Sequence, residues 1–339
     1  MYRQRRTTLS QYDQSNQLPE FKNEFTEFKE VGSQVLQNVT KRVDLAYRAF
    51  FRRLKSGQSK AGFPRFRGRN RYDSFTFPNK SGWKLEGRYL YVTNVGRFKL
   101  HPTKPAQGDI KTVTVRRSPT GKWYVCFSCD NVVPRKFLKA TEAIGIDVGI
   151  KSFCVDSDGK VFDNPKYYRE SEQLLRKRQR KLSRRKKGSV GRKEARILVA
   201  KAHERVFNLR NDFLHKTANY YIENYGTINI EDLQVQNMLK NKHLSKSIAD
   251  ASWSKFFDML SYKAEEAGRE VVKVRPHGTS QLCSFCGAKV PKTLAVRVHR
   301  CSVCGLVMDR DYNAALNILN RGQVGRSGDN VEVGDSCVV

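Results

Sequence analysis

From Ser33 onward apolar residues recur every three or four positions, at Leu36, Val39, Val43, Ala46, Phe50 and Leu54. That spacing predicts one long amphipathic helix, with Ser33 as its N-cap and Gly57 as its stop. A stretch rich in Gly, Pro and Arg follows, SGQSKAGFPRFRGRNRYDSFTFP, and after it the period falls to two. Phe75/Phe77, Trp83/Leu85, Tyr89/Tyr91, Val113/Val115 and Trp123/Val125/Phe127 form short alternating runs, with a Ser118-Pro119-Thr120-Gly121 turn between the last two. Residues 70–130 therefore predict a small antiparallel barrel or sandwich whose outward face carries Lys and Arg.

The pattern changes again at Glu142. EAIGIDVGIKSFCVDSDG predicts two short buried strands joined by a tight Gly-containing turn. SEQLLRKRQRKLSRRKKGSVGRKE opens a long helical stretch, crowded with Arg and Lys in its first half and striped with Leu198, Ala202, Val206, Leu209, Phe213 and Thr217 in its second. TINIEDL predicts a third buried strand. A helix carrying Trp253, Phe256, Leu260, Ala264 and Ala267 stops at Gly268, and VVKVRP is a fourth strand. Strands alternating with helices behind an initial hairpin indicate an α/β domain from about residue 141 onward. The final RGQVGRSGDNVEVGDSCVV has the composition of a disordered tail.

Charge narrows the partners. The 339 residues hold 64 Lys+Arg against 33 Asp+Glu, a net charge of +31, which points to a polyanion, nucleic acid first. Aromatic residues at 11% are too many for a disordered basic tail. No apolar run approaches the roughly 20 residues of a membrane helix, and MYRQRRTTLSQYDQ has no apolar segment behind its charges for export. A cytoplasmic protein with no membrane partner is expected.

In such a compartment paired cysteines favour metal over disulfides. Cys283 and Cys286 are separated from Cys301 and Cys304 by fourteen residues, and a Gly follows each pair at 287 and 305. Four thiolates at that spacing close a structural zinc site and leave no open position for a catalytic water. His299 is not needed as a ligand. Cys126 and Cys129 lie in the strand WYVCFSCD without a knuckle glycine and are expected to pack in a core; Cys154 and Cys337 carry no signal.

Three carboxylates sit at the edges of core elements: Asp147 in GIDVGI, Glu231 in INIEDL and Asp311 opening DYNAALNIL. Desolvating an unpaired charge there costs on the order of several kcal/mol, so something must compensate it. Two Mg²⁺ ions roughly 4 Å apart would do so and would suit phosphodiester hydrolysis. A salt bridge to Arg, or for Asp311 a helix-dipole role, is the structural alternative. Asp232 and Asp309 are rival carboxylates, and strand alternation turns Glu231 and Asp232 to opposite sides.

The basic segments complete the chemistry. RKRQRKLSRRKK, residues 176–187, puts nine positive charges in twelve positions, which favours nucleic-acid contact at Arg176, Lys177, Arg178, Arg180, Lys181, Arg184 and Arg185. GFPRFRGRNRYDSFTF interleaves Arg65, Arg67, Arg69 and Arg71 with aromatic residues, a mixture suited to backbone pairing and base stacking.

GIDVGIKSFCV, INIEDLQVQNML, PHGTSQLCSFCG, CSVCG and MDRDYNAALNIL together resemble the TnpB family, the OrfB-type zinc-ribbon proteins of bacterial and archaeal insertion sequences, and upstream runs extend the likeness over about residues 20–322. The resemblance implies an α+β multidomain chain with an RNase H-like, RuvC-type nuclease core and an inserted zinc ribbon, preceded by a helical segment and a small antiparallel β-barrel. On that scheme residues 1–58 are a recognition-lobe segment, 59–140 a wedge-like barrel, 141–282 the nuclease core, 283–306 the ribbon, 307–322 the last core segment and 323–339 a tail. It implies an RNA-guided DNA endonuclease related to type V CRISPR effectors, with DNA and a guide RNA as partners in a prokaryotic, nucleoid-associated setting. Asp147, Glu231 and Asp311 become the catalytic, Mg²⁺-holding carboxylates, the family pattern favouring Asp311 over Asp309, and the four cysteines hold zinc. The chain begins after the first strand that family members have, so a shortened recognition region is expected, with a DNA- or RNA-binding protein that does not cut as the alternative function. An unguided nuclease or a strand-transferring transposase shares the same fold and acids.

Overall fold

The computed structural model describes residues 9–57, 61–66, 68, 71–78, 81–102, 105–133, 137–293 and 295–327. The chain divides into two units after Val133.

The first unit opens with helices α1 (Gln11–Asn16), α2 (Leu18–Glu24) and α3 (Ser33–Lys55). Ser10 and Asp13 cap α1 reciprocally. Gly32, not Ser33, is the N-cap of α3, because Ser33 already has helical geometry. Six strands follow: β1 (Ser74–Phe77), β2 (Trp83–Glu86), β3 (Tyr89–Val92), β4 (Gly96–Lys99), β5 (Asp109–Arg117) and β6 (Trp123–Asp130). They form two antiparallel ladders, β1-β5-β6 and β2-β3-β4, so the expected barrel is a pair of three-stranded sheets. Phe77, Leu90, Val92 and Val113 are its buried core, with Val35 of α3 packed against them. On β3 the inward residues are Leu90 and Val92. Tyr89 and Tyr91 therefore face outward, and the Arg97 guanidinium lies over the Tyr89 ring at 3.7 Å.

The second unit is built on a five-stranded sheet of order β11-β10-β7-β8-β9, from β7 (Ala143–Val148), β8 (Ser152–Asp156), β9 (Val161–Asp163), β10 (Thr227–Glu231) and β11 (Glu270–Val274). β7, β8 and β9 run antiparallel, while β10 pairs parallel with both β7 and β11. The short edge strand β9 has too few residues to show a period in the sequence. The long basic stretch is two helices, α4 (Tyr167–Ser183) and α5 (Val190–Asn224). The predicted stripe on α5 holds at Ala202, Val206 and Thr217, but Leu198 and Leu209 are 39% and 36% exposed. One straight stripe fails because α5 changes partner. Ala202 and Val206 pack with Leu175 of α4, whereas Leu214, Ala218, Tyr221 and Ile222 join the core on the sheet.

That core fills one face of the sheet. Ile144 and Ile146 of β7 and Ile228 and Ile230 of β10 meet α5 and α8 (Trp253–Ala267), with Phe256 and Leu260 fully buried. Two short helices, α6 (Val235–Met238) and α7 (Ser245–Ala251), lead into α8. The alternate residues, Gly145 and Asn229, meet the last helix, α9 (Arg310–Ser327). A Cβ on Gly145 would stand 2.2 Å from the Ala315 carbonyl oxygen, so glycine there is what lets α9 lie against β7. α9 continues to Ser327, beyond the segment boundary expected near 322; Cys337 lies outside the described residues. No helix among the described residues is long and apolar enough to cross a membrane.

Asp250 of α7 joins this framework to the basic helices. Its carboxylate accepts the backbone N–H groups of Tyr168 and Arg169 at 3.1 and 3.3 Å, satisfying donors in the first turn of α4 that no local side chain caps. The Arg210 guanidinium donates to the same carboxylate at 2.7 Å, so the buried charge is paired.

Candidate active site

Sheet register and side-chain alternation assemble the acids. Parallel pairing sets Ile230 beside Ile146, which makes Glu231 and Asp147 the next residues on adjacent strands. Because Ile146 and Ile230 point into the α5–α8 core, Asp147 and Glu231 turn to the opposite face, the one covered by α9. Asp311 lies in the first turn of that helix. The structure thus brings the three predicted carboxylates to one end of one sheet face. Asp232, just past the end of β10, is exposed.

Asp147 and Glu231 are unfavourably placed for ionisation. The Asp147 carboxyl is held well above the usual carboxylate range, first by burial, then by the negative charges of Glu231 and Asp311, with Arg310 opposing. Burial also raises Glu231, offset by a hydrogen bond from the Thr279 hydroxyl at 2.5 Å and by the charge of Arg321. Asp311 is partnered by Arg310 at 2.8 Å and Arg297 at 3.4 Å. Burial opposes the ionisation of both Asp147 and Glu231, and at Asp147 the neighbouring carboxylates add to it, an arrangement that suits a hard divalent cation bound through oxygen. Among the described residues, only the four cysteines draw three or more His, Cys, Asp or Glu donor atoms to within 4.8 Å of one another. The acids are more widely placed, with Asp311 drawn to its two arginines.

Asp309 has a different task from Asp311. Its Oδ1 accepts the backbone N–H of Asp311 at 2.8 Å and of Tyr312 at 3.1 Å, so it caps α9. In the Asp-Arg-Asp motif one acid starts the helix and the other is carried on it.

Cys283, Cys286, Cys301 and Cys304 are brought together, with Cys283 Sγ 3.6 Å from Cys304 and Cys286 Sγ 3.5 Å from Cys301. Tetrahedral zinc with sulfur at about 2.3 Å places thiolates a little under 4 Å apart, and a disulfide would need about 2.05 Å, so the set fits zinc. Gly287 (φ 74°) and Gly305 (φ 75°) take the left-handed turns that return their N–H groups to the Cys283 and Cys301 carbonyls. Backbone N–H groups of Cys304 and Val303 hold the Cys301 thiol down at about 6. His299 is buried on the strand β12 (Val298–Arg300), which pairs with β13 (Val307–Asp309), and its Nδ1 meets Lys292. Cys126 and Cys129 point to opposite faces of β6, and Cys126 is exposed, so the core expectation fails for it.

Arg176, Lys177, Arg180, Lys181, Arg184 and Arg185, with Gln173, line a groove of about 860 Å³ along α4 and the residues just past its end. Arg178 departs from them and donates to the Leu198 carbonyl of α5 at 2.8 Å. Arg65 and Arg71 are exposed, while Arg67 and Arg69 lie outside the described residues. Phe77 is core and Phe75 packs against it.

Sequence reasoning missed the side chains that brace the acids. On α9, the Asn313 amide donates to the Leu282 carbonyl, and Asn317 to the carbonyls of Thr279 and Leu282, all at 2.8 Å. Arg321 donates to the carbonyls of Arg275 and His277 at 2.7 and 2.8 Å. The signal that could have found them is the spacing of polar residues, Asn313, Asn317 and Arg321, inside an otherwise core-facing helix.

Known proteins agree with this architecture. A family model for OrfB of IS605, described as probable transposase, matches residues 126–242, and a Cas12f1-like TNB domain model matches 253–318. A Streptomyces pristinaespiralis protein carrying the name of an RNA-guided DNA endonuclease is 36% identical over 324 residues, covering 93% of this chain and 78% of its own length. InsQ of Escherichia coli K12, named likewise, is 32% identical over 323 residues, covering 90% and 79%. A cryo-EM structure of a Cas12f1–sgRNA–target DNA complex superposes with a TM-score of 0.54 at 17% identity, over 85% of this chain and 71% of that one, and so shares the fold. By the extent of these matches, the chain belongs to the TnpB family of OrfB-type insertion-sequence proteins.

Proposed function

We propose that this protein is an RNA-guided DNA endonuclease whose second unit is a RuvC-type nuclease of RNase H-like fold. The carrying observation is the placement of Asp147, Glu231 and Asp311 at one end of the sheet face covered by α9. Its family membership and the names of its relatives support the same reading. These three carboxylates would hold two Mg²⁺ ions; when bound, the metal activates water and stabilises the leaving oxygen of a phosphodiester. The chain's own residues do the rest. Asp309 fixes the start of α9 and with it the backbone of Asp311. Arg297 and Arg310 neutralise Asp311 at 3.4 and 2.8 Å. The basic groove on α4 offers guanidinium and ammonium groups to phosphates along a nucleic-acid backbone, leaving sequence to base pairing with the guide.

In this reading residues 283–306 are a zinc ribbon with a structural ion, 307–322 return the chain to the nuclease, and the first unit supplies the recognition segment and wedge-like domain. The test is to co-express the full chain with its flanking locus, sequence the RNA that copurifies, and assay Mg²⁺-dependent cutting of a plasmid matching that RNA. A discrete RNA whose match directs cutting is expected. Guide-dependent binding without cutting would establish the non-cleaving alternative, and cutting that survives complete removal of RNA would overturn guidance.

A further inference from the structure

We infer that Thr279 is a positioning residue for Glu231, held in place by Asn317 of α9. This rests on reading Asp147, Glu231 and Asp311 as a divalent-cation site. Thr279 is only 4% exposed, and its hydroxyl lies 2.5 Å from Glu231 Oε1 and 3.1 Å from the Pro276 carbonyl. A hydroxyl has one proton to donate, and the charged carboxylate is the stronger acceptor of the two. The terminal torsion of a glutamate is broad, so without a partner the carboxylate plane would be free to turn. Pairing with Val274 of β11 fixes the backbone of Glu231, the last residue of β10, and anchoring Oε1 removes the remaining freedom of its side chain.

Thr279 is itself fixed. The buried Asn317 amide donates to the Thr279 carbonyl at 2.8 Å, and Asn317 sits six residues after Asp311 on the same helix. Arg321, four residues further on, ties down the carbonyls of Arg275 and His277, just upstream of Thr279. One helix therefore carries Asp311 directly and sets Glu231 through Thr279, so the spacing between two of the three acids is fixed by a single rigid element. Groups that orient metal-binding side chains in this way typically change metal affinity by about 10- to 100-fold when removed.

The experiment is Mn²⁺ binding to the zinc-replete full chain, measured by titration calorimetry, for wild type, Thr279→Val, Thr279→Ala, Thr279→Ser and Glu231→Gln, with zinc content and RNA binding measured alongside. Valine keeps the shape and removes the hydroxyl; alanine serves if valine lowers zinc content or RNA binding. Expected is a loss of affinity of about tenfold or more in Thr279→Val and Thr279→Ala, with Thr279→Ser restoring it to within about threefold of wild type. Wild-type Mn²⁺ affinity in a folded Thr279→Val or Thr279→Ala protein, with Glu231→Gln impaired, would overturn the positioning role alone. Unchanged affinity in Glu231→Gln would overturn the cation site itself.

Discussion

Gly145→Ala tests the packing that brings the acids together. An added Cβ would lie 2.2 Å from the Ala315 oxygen, 2.6 Å from the Leu319 nitrogen and 2.9 Å from the Leu319 Cβ. The first two are backbone atoms of α9, so no side-chain rotation relieves them. The shortfall from ordinary van der Waals separation is roughly 1 Å, and α9 must withdraw from β7 by about that much. Overpacking of this kind costs about 1–3 kcal/mol. For a unit of this size each kcal/mol lowers Tm by about 2–4 °C. The functional effect is larger than the stability effect. Asp311 moves with α9 while Asp147 stays on β7, and a misplacement near 1 Å costs catalysis about 100-fold. Guided plasmid cleavage should therefore fall about 100-fold at a temperature where the variant is still folded, with affinity for RNA unchanged because the basic groove lies on α4. Wild-type cleavage by Gly145→Ala, or a decline matched by an equal decline in RNA binding, would refute this account of how the site is built.

Three further outcomes follow from the same geometry. Asp309→Ala, which removes the cap of α9, should lower stability by about 1 kcal/mol in thermal denaturation, whereas Asp309→Asn should forfeit only part of that. Asp147→Asn should raise the stability of the zinc-bound protein without added Mg²⁺ at neutral pH. The native carboxyl is raised above its unfolded value, so its stabilising contribution is full below about pH 3.9 and is lost as pH rises through the native value. The difference between the two proteins should therefore vanish near pH 3 and should shrink at neutral pH on adding Mg²⁺. Replacing Lys181, Arg184 and Arg185 with Ala should reduce the slope of log affinity for nucleic acid against log salt by about one unit for each phosphate no longer neutralised, whereas Arg178→Ala should leave it unchanged.

Much of this was legible in the sequence because short-range periodicity controls it. The strands holding Asp147 and Glu231 read as buried apolar runs, and the cysteine spacing read as a metal site, since both depend on neighbours a few residues away. What the sequence hid depends on tertiary choice. The stripe on α5 misplaced Leu198 and Leu209 because the helix serves two cores along its length. Tyr89 and Tyr91 alternate as well as Leu90 and Val92 do, so period alone did not say which pair faces in. Asp309 and Asp311 are chemically identical in sequence, and only the hydrogen bonds from the N–H groups of Asp311 and Tyr312 separate cap from candidate ligand. Thr279 and Asn317 are 38 residues apart and show their relation only once α9 lies on the sheet.

Whether Asp147, Glu231 and Asp311 form one catalytic carboxylate set is tested most directly by Mg²⁺-dependent cleavage of a guide-matched plasmid. The variants are Asp147→Ala, Glu231→Gln and Asp311→Ala, each prepared with full zinc content and with RNA bound. Every one of the three should lower cleavage by about a thousandfold or more, as expected when several kcal/mol of transition-state stabilisation are removed, while guide-dependent DNA binding persists. Cleavage near the wild-type rate in any one of them would contradict the shared role.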